Sequence, residues 1–126
     1  MPEAPVIAIV DDDESFRQAL ERLLGTFGFR VRTFPCGEEF LQSSELSVVA
    51  CLILDVAMPG MGGLEVPGQL RARGLPIPTI VVTAHADDEV ARHLVAAGAI
   101  AILLKPVDQE TLLRLVDDVM GSHDTA

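Results

Sequence analysis

Three carboxylates, at Asp11–Asp13, stand side by side directly after an apolar run of the chain. Later apolar runs end in Asp55, in Thr83 and in Lys105. Unit charges of like sign repel by roughly 4 kcal/mol at 4 Å and an effective dielectric constant of 20, so a cation must compensate if these carboxylates meet. One lysine cannot balance them, whereas a divalent cation can. Mg²⁺ suits such a site because it takes oxygen ligands and keeps positions open for water and phosphate oxygens.

These residue types together favour phosphoryl transfer to an aspartate side chain. A carboxylate attacks in line, the metal and a lysine stabilise charge on the equatorial oxygens, and a hydroxyl donates a hydrogen bond to one of them. Each residue taken alone would be an ordinary helix cap or strand terminator. Their joint position at the ends of four apolar runs is what points to a site.

Five short apolar runs, rich in β-branched residues, predict the strands of a sheet. They cover residues 5–10, 30–34, 48–54, 78–83 and 99–104. Four of them are continuously apolar, which is typical of strands in a sheet that is covered on both faces. The run at 30–34 alternates and carries two arginines, which predicts a position at or near the edge of the sheet.

Residues of helical spacing lie between the runs. After the first run, an apolar face that packs on the sheet is predicted at Phe16, Leu20, Leu23, Leu24 and Phe27. Two later segments repeat this spacing, at Val90, Leu94 and Val95 and at Leu112, Leu113, Val116, Val119 and Met120.

The starts of three helices can also be predicted. Asp87 or Asp88, and Asp108, are placed as N-caps of the last two helices. Pro67 and Gly68 fall inside the segment that follows the third run, where a proline in a helix interior would cost about 3 kcal/mol. Because proline suits the first turn, we expect a late or irregular helix start near Pro67.

The alternation of five strands with five helices predicts an open, doubly wound α/β domain with a parallel sheet. In such sheets ligands bind outside the carboxyl ends of the strands. The polar residues that follow the runs should therefore converge at one end of the sheet. We expect residues 1–126 to form one domain, with 121–126 as a tail or the start of a linker.

The charge of the chain argues against two classes of partner. Its net charge is -10, and such a surface repels the phosphates of nucleic acids and of anionic membranes. No uncharged apolar stretch approaches the roughly 20 residues that span a bilayer, so we expect a soluble, cytoplasmic protein.

Cys36 and Cys51 lack the spacing of a zinc site or a disulfide framework and are expected to be ordinary thiols.

Four segments resemble the signature blocks of the receiver domain of two-component response regulators, in the same order and at the same intervals. They read IVDDDES, LILDVAMPGMGG, IVVTAH and LLKPV. The resemblance covers essentially the whole chain and is nearest to the FixJ-like receivers of the CheY-like superfamily. It implies a flavodoxin-like sheet with strand order 2-1-3-4-5 and five helices.

The resemblance also implies roles for the acidic residues. Asp55 is the implied phosphoacceptor, which receives a phosphoryl group from a phosphohistidine on a cognate sensor histidine kinase. Asp12 and Asp55 are implied ligands of Mg²⁺, with Asp11 acting mainly through a metal-bound water and Ala57 supplying a backbone carbonyl oxygen. Asp13 is expected to cap the first helix instead of binding the metal.

Further implied roles concern the switch and the lifetime of the phosphoryl group. Lys105 pairs with the phosphoryl group, and Thr83 moves to donate a hydrogen bond to it. Many family members carry an aromatic switch residue three positions before this lysine, where this chain has Ile102, so an isoleucine would have to repack instead. Ala57 and His85 occupy the positions that tune hydrolysis. Ala57 leaves one side open to water, and His85 either orients that water or, as we favour, is an ordinary surface residue.

A signalling function follows from the resemblance. Phosphorylation biases the surface around the fourth helix, fifth strand and fifth helix, which in the family is a frequent dimerisation or output surface. We therefore expect a phosphorylation-dependent homodimer and control of transcription through an output domain not in this chain. The chain is either a piece of a longer regulator or a single-domain regulator. Its chemistry would be limited to its own phosphorylation and dephosphorylation, so it is not expected to be an enzyme.

Other functions fit the same residues less well. A phosphatase of the haloacid-dehalogenase type needs a second aspartate as general acid, where this chain has Ala57. A flavodoxin would place the phosphate of FMN beside Asp11–Asp13, which would repel it, and no GxxxxGK follows a run as in a nucleotide-binding P-loop. The alternative that stays open is a receiver-like docking module that works without phosphorylation.

Overall fold

A computed structural model describes residues 5–56 and 63–124, and within these ranges the chain forms five strands and five α-helices. The strands are β1 (Val6–Val10), β2 (Arg30–Phe34), β3 (Val49–Leu54), β4 (Thr79–Thr83) and β5 (Ala99–Leu104). The helices are α1 (Glu14–Thr26), α2 (Gly37–Leu41), α3 (Val66–Ala72), α4 (Asp88–Ala96) and α5 (Gln109–Asp124). Every predicted strand therefore lies within one residue of an observed one. The last helix extends into the segment 121–126 that we expected to be a tail or linker.

The five strands pair in parallel in the order β2-β1-β3-β4-β5. This order confirms the one that the resemblance implied. β2 lies at one edge, as its alternating pattern predicted, and β5 lies at the other. Because all strands run in the same direction, their carboxyl ends meet at one end of the sheet.

Two apolar cores cover the two faces of the sheet. The first joins α2, α3 and α4 to the sheet, and its side chains Phe40 and Leu94 are fully buried. The second joins α1 and α5 to the opposite face, with Leu24 and Leu112 fully buried. The central strands are thus buried on both sides, which explains their continuous apolar sequences. None of the helices in the described ranges has the length and apolar character needed to cross a membrane.

Aspartate side chains cap three of the helices, as predicted. Asp13, Asp87 and Asp108 each accept a hydrogen bond from the backbone N–H three residues later, at 3.2, 2.8 and 3.1 Å. Of the two alternatives at the start of α4, Asp87 is therefore the cap. Pro67 lies in the first turn of α3, after a short 3₁₀ turn at Gly63–Glu65, which confirms the late helix start.

The predicted apolar face of α1 is wrong at its last position. Phe27 lies one residue beyond the end of the helix, and it is 58% exposed. The chain then turns at Gly28, whose φ of 89° is in the left-handed region that favours glycine. Phe29 packs against the core instead. Helical spacing ceases to apply where the helix ends, which is why the prediction failed at this residue.

Apolar side chains on β5 and on the neighbouring α4 are more exposed to solvent than predicted. Val95 is exposed, although Val90 and Leu94 of the same helix pack on the core as expected. In β5 itself, Ile100 and Leu104 are exposed. The reason is that β5 is an edge strand, so α4 covers only part of its face. A continuous apolar run does not distinguish an edge strand from a central one.

Both cysteines are free thiols, as predicted, with Cys36 half-buried and Cys51 buried in β3. Burial raises the pKa of the Cys51 thiol from its ordinary value of 9.0 to about 12. Above pH 9.0 the unfolded chain therefore loses this proton while the folded chain keeps it. The free energy of unfolding should then fall as the pH rises, approaching a slope of about 1.4 kcal/mol per pH unit.

We expect Cys51→Val to remove this alkaline slope and Cys36→Val to keep it. Between pH 9.0 and 10.5 other side chains contribute little to the pH dependence of the free energy of unfolding, because the chain has no tyrosine and one lysine, whose ordinary pKa is 10.5. Urea unfolding followed by circular dichroism across this range measures the slope. Equal slopes in the two variants would show that the buried thiol is not its source.

Candidate phosphoacceptor site

Backbone hydrogen bonds place the predicted site residues at the carboxyl ends of neighbouring strands. The N–H of Asp55 donates to the carbonyl of Val10 at 2.9 Å, which joins the ends of β3 and β1. The N–H of Lys105 donates to the carbonyl of Thr83 at 2.8 Å, which joins the ends of β5 and β4. These bonds continue the pairing of the strands by one residue. The sheet itself therefore fixes the backbone positions of Asp55 and Lys105.

Asp11, Asp12 and Asp55 form an acidic cluster, in which one carboxylate oxygen of each residue lies within 4.8 Å of the others. Asp11 and Asp55 are buried, whereas Asp12 is exposed. The cluster therefore offers only oxygen donors and is open to solvent on one side. Such a set of donors fits Mg²⁺, which takes oxygen ligands and keeps several waters.

Asp13 is separated from the acidic cluster by its role in α1. Its Oδ1 accepts a hydrogen bond from the N–H of Phe16, and its own N–H donates to Oδ1 of Asp11 at 2.9 Å. The side chain of Asp13 thus caps the helix, while its backbone orients the neighbouring carboxylate. Asp13 is therefore the helix cap that the sequence predicted, and Asp11 and Asp12 remain in the acidic cluster.

Lys105, the single lysine of the chain, compensates part of the negative charge. Its Nζ lies 2.7 Å from Oδ2 of Asp11 and 3.3 Å from Oδ2 of Asp55. The side chain of Lys105 is 22% exposed and those of the two aspartates are 1% and 7% exposed. One ammonium group therefore pairs with two of the three carboxylates of the cluster, and the site retains an excess of negative charge that a divalent cation can balance.

The site shifts the pKa values of two groups. Burial raises the pKa of Asp11, and the charge of Asp55 adds to this, whereas Lys105 and the N–H of Asp13 act in the opposite direction. Burial on its own would lower the pKa of Lys105, but its hydrogen bonds to Asp11 and Asp55 and their charges outweigh it and raise the pKa. The lysine is therefore a firmly protonated cation at neutral pH.

Arg17 supports the site through a contact that its sequence position does not predict. Its Nη1 donates to the backbone carbonyl of Asp11 at 2.7 Å. This bond fixes the segment between β1 and α1 that carries Asp12. The spacing of apolar residues gives no signal for it, because Arg17 is polar and only half-buried in a helix that packs through its other side chains.

The two predicted switch residues lie on neighbouring strands: Thr83 is the last residue of β4, and Ile102 lies within β5. Thr83 is fully buried, and its Oγ1 donates to the backbone carbonyl of His85 at 3.3 Å. The side chain of His85 is exposed. Ile102 pairs with Val81 in the sheet and packs, half-buried, against the core beneath α4. The predicted backbone ligand, Ala57, lies outside the described residues.

Comparison with known proteins agrees with this arrangement. The family model described as the response regulator receiver domain matches residues 7–117. The chain belongs to this family. The receiver domain is also 41% identical over 110 residues to the response regulator protein TodT of Pseudomonas putida, covering 87% of this chain and 48% of TodT.

Two further matches place the receiver domain among response regulators. The transcriptional regulatory protein FixJ of Azorhizobium caulinodans is 34% identical over 121 residues, covering 96% of this chain and 57% of FixJ. The solved structure of the response regulator StyR has 39% identity and a TM-score of 0.86, covering 93% of this chain and 59% of that chain. The receiver domain thus spans about half the length of the curated relatives it matches.

Proposed function

We propose that the receiver domain accepts a phosphoryl group on Asp55. The observation that carries this proposal is the contact of a buried Asp55 with Lys105, at 3.3 Å, inside an acidic cluster that fits Mg²⁺. A carboxylate in this position is a nucleophile with a fixed cation beside it. The ammonium group of Lys105 does not block the site, because the cluster is open to solvent on the side of Asp12, which is exposed.

The phosphoryl donor in this proposal is a phosphohistidine on a cognate sensor histidine kinase. An Oδ atom of Asp55 forms a bond to phosphorus while the P–N bond to the imidazole breaks, and the electron pair of that bond leaves with the nitrogen. Negative charge on the phosphoryl oxygens is stabilised by the ammonium group of Lys105 and by a hydrogen bond from Thr83. Thr83 must give up the carbonyl of His85 to donate that bond.

We propose Mg²⁺ as the cofactor of this reaction. Asp12 and Asp55 would hold it directly, Asp11 through a water, and the backbone carbonyl of Ala57 would complete the protein ligands. When bound, Mg²⁺ neutralises charge on the acidic cluster and on the phosphoryl oxygens. The distinction between Asp11 and Asp12 is supported by their surroundings, because Asp11 already accepts hydrogen bonds from Lys105 and from the N–H of Asp13, whereas Asp12 is exposed.

The test of the proposed function uses a small phosphodonor. The protein is incubated with acetyl phosphate and MgCl₂ and then weighed by intact-mass spectrometry. The proposal predicts a mass gain of one phosphoryl group, and no gain when EDTA replaces the metal. No gain in the presence of active donor and metal would support the alternative, a receiver-like docking module that works without phosphorylation.

Asp12→Asn is expected to weaken binding of Mg²⁺ by about 100-fold, because it removes a charged ligand from the open side of the cluster. The matched control is Asp13→Asn, which makes the same chemical change one residue away and keeps a good helix cap. Titration of each variant with MgCl₂ in a calorimeter measures the difference. Equal affinity in the two variants would contradict the assignment of Asp12 as a direct ligand.

The proposed role in the cell is that of a cytoplasmic signalling domain in a two-component system. Residues 1–126 would act as one receiver domain, with control of transcription exerted by an output domain outside this chain. FixJ, which the chain resembles over most of its length, is named as a transcriptional regulatory protein. The net charge of -10 supports a receiver domain that does not itself bind nucleic acid or anionic membranes.

We further propose that the surface formed by α4 and β5 mediates self-association after phosphorylation. Among the described residues, four large apolar side chains are exposed, and three of them lie on these two elements: Val95 at 63%, Ile100 at 49% and Leu104 at 58%. Apolar side chains grouped in this way mark interaction surfaces. Leu104 also precedes Lys105 directly, so a movement at the site reaches this surface through β5.

Ile100→Glu is expected to prevent self-association, because it replaces one of the three exposed apolar side chains with a charge. Sedimentation velocity with and without beryllofluoride, a stable mimic of the phosphoryl group, measures the change. The unmodified chain should sediment faster in its presence, and the variant should not. Phe27→Glu is the control, since Phe27 is also an exposed apolar residue but lies just after the end of α1. Identical sedimentation of the unmodified chain under both conditions would count against this surface.

A further inference from the structure

Lys105 has a third neighbour at the site, which is the aromatic ring of Phe16. The Nζ atom of Lys105 lies 4.3 Å from the centroid of this ring. Phe16 belongs to the first turn of α1, four residues after Asp12 of the acidic cluster, and is half-buried against the core between α1 and the sheet. The ammonium group is thus held between the oxygens of Asp11 and Asp55 and an aromatic face.

An aromatic face is a particular kind of partner for a cation. The ring attracts the ammonium group through its quadrupole, while it carries no charge and does not take one of the N–H groups in a directed bond to oxygen. A lysine side chain is a flexible four-carbon chain with a strongly hydrated end, and that of Lys105 is partly exposed. Without the ring, water competes for one side of this ammonium group.

We propose that Phe16 is a positioning residue that keeps the ammonium group of Lys105 over the phosphoacceptor carboxylate. This inference rests on the proposed function of Asp55. When the phosphoryl group arrives, Lys105 has to exchange a carboxylate oxygen for a phosphoryl oxygen. The contact with Phe16 persists through that exchange, because the ring competes with neither oxygen. The ring therefore restricts the side chain of Lys105 before the reaction, so that less conformational entropy is lost when the phosphoryl group binds.

The surroundings of Phe16 allow this role to be tested by substitution. Phe16 lines a cavity of about 470 Å³ between α1 and α5, together with apolar side chains that include Leu20, Leu23 and Leu112. Lys105 also lines this cavity, which leaves room for a larger ring next to the ammonium group. Phe16→Trp should thus keep an aromatic face under the ammonium group, whereas Phe16→Leu keeps an apolar side chain without one.

The first measurement is independent of phosphorylation. Because the chain has one lysine, selective labelling with ¹³C-lysine gives one set of side-chain NMR signals. The ring current of Phe16 should shift the Hε protons of Lys105 upfield, and Phe16→Leu should remove this shift. Phe27→Leu, the same change at an exposed aromatic residue of the same segment, should leave it in place. An unchanged lysine signal in Phe16→Leu would show that the contact does not exist in solution.

The second measurement is the rate of phosphorylation by acetyl phosphate at saturating MgCl₂. We expect Phe16→Leu to slow it by about two- to thirtyfold, the range that a cation–π contact supports. Phe16→Trp should restore the rate and Phe27→Leu should match the unmodified chain. Equal rates for Phe16→Leu and the unmodified chain, or no rescue by tryptophan, would overturn the inference.

The two proposals fail in different ways. If the unmodified chain takes up no phosphoryl group, the proposed function is wrong whatever the NMR signals show. If it is phosphorylated and Phe16→Leu is phosphorylated as fast, only the role of Phe16 is wrong. Circular dichroism confirms that each variant is folded, and Phe16→Met, whose flexible side chain adapts to irregular gaps, replaces Phe16→Leu if that variant unfolds.

Discussion

Asp55→Asn should abolish phosphorylation of the receiver domain, with a loss of about 10³-fold or more in rate. The substitution keeps the size of the side chain but replaces a carboxylate nucleophile by a neutral amide. The neighbouring aspartates have other roles in this proposal, because Asp12 would hold Mg²⁺, Asp11 forms the shorter ion pair with Lys105, at 2.7 Å, and Asp13 caps α1. Intact-mass spectrometry after incubation with acetyl phosphate and MgCl₂ measures the result.

The control for this prediction is Asp13→Asn, which makes the same substitution at an aspartate outside the acidic cluster. Asparagine caps helices about as well as aspartate does, so this variant should gain one phosphoryl group at the rate of the unmodified chain. A mass gain in Asp55→Asn at a similar rate would mean that a different side chain is the acceptor.

Lys105→Met should destabilise the protein strongly in the absence of divalent cations. The variant leaves two buried carboxylates, of Asp11 and Asp55, without their cation. Removing one partner from a buried ion pair typically costs about 3–5 kcal/mol, and because Lys105 is partly exposed we expect a loss of about 2–3 kcal/mol. Addition of MgCl₂ should recover most of this loss, since the metal supplies the missing positive charge.

Urea unfolding in EDTA and in MgCl₂ measures both parts of this prediction. Arg114→Met is the control, because it removes a cation from an exposed pair with Glu110, in which both side chains are more than 70% exposed. Exposed pairs of this kind contribute little, so its stability should hardly change and should not depend on the metal. A loss in Lys105→Met that is equal with and without MgCl₂ would show that the lysine does not act through its charge.

Much of the fold could be predicted because its local signals are consistent. Three of the four continuous apolar runs correspond to central strands, and the alternating run at 30–34 is an edge strand. Asp13, Asp87 and Asp108 cap helices where their positions indicated. These features depend on interactions between residues three or fewer positions apart or on burial on both faces, and both leave a pattern in the sequence.

The predictions failed where the outcome depends on tertiary structure. Phe27 continues the helical spacing of α1, yet the helix ends before it. Val95, Ile100 and Leu104 look like core residues but lie next to or in the edge strand β5, and the sequence alone does not show that β5 is at the edge of the described sheet. An apolar residue at such a position has the same spacing as one in the core.

The predicted site residues are brought together by the topology of the sheet, yet the finer contacts required the structure. The acidic cluster follows from the rule that strand ends meet. The bond from Thr83 to the carbonyl of His85 and the ring of Phe16 beneath Lys105 do not follow from it. The first is a turn contact that spacing does not specify, and the second joins segments from opposite ends of the chain.

The most direct test of the central claim is to locate the phosphoryl group. Reduction of the phosphorylated protein with borohydride converts an aspartyl phosphate to homoserine, and peptide mass spectrometry then reads its position. We predict homoserine at position 55 alone, formed only when MgCl₂ is present. Homoserine at position 11, 12 or 13, or modification of a histidine in place of an aspartate, would contradict the assignment of Asp55 as the phosphoacceptor.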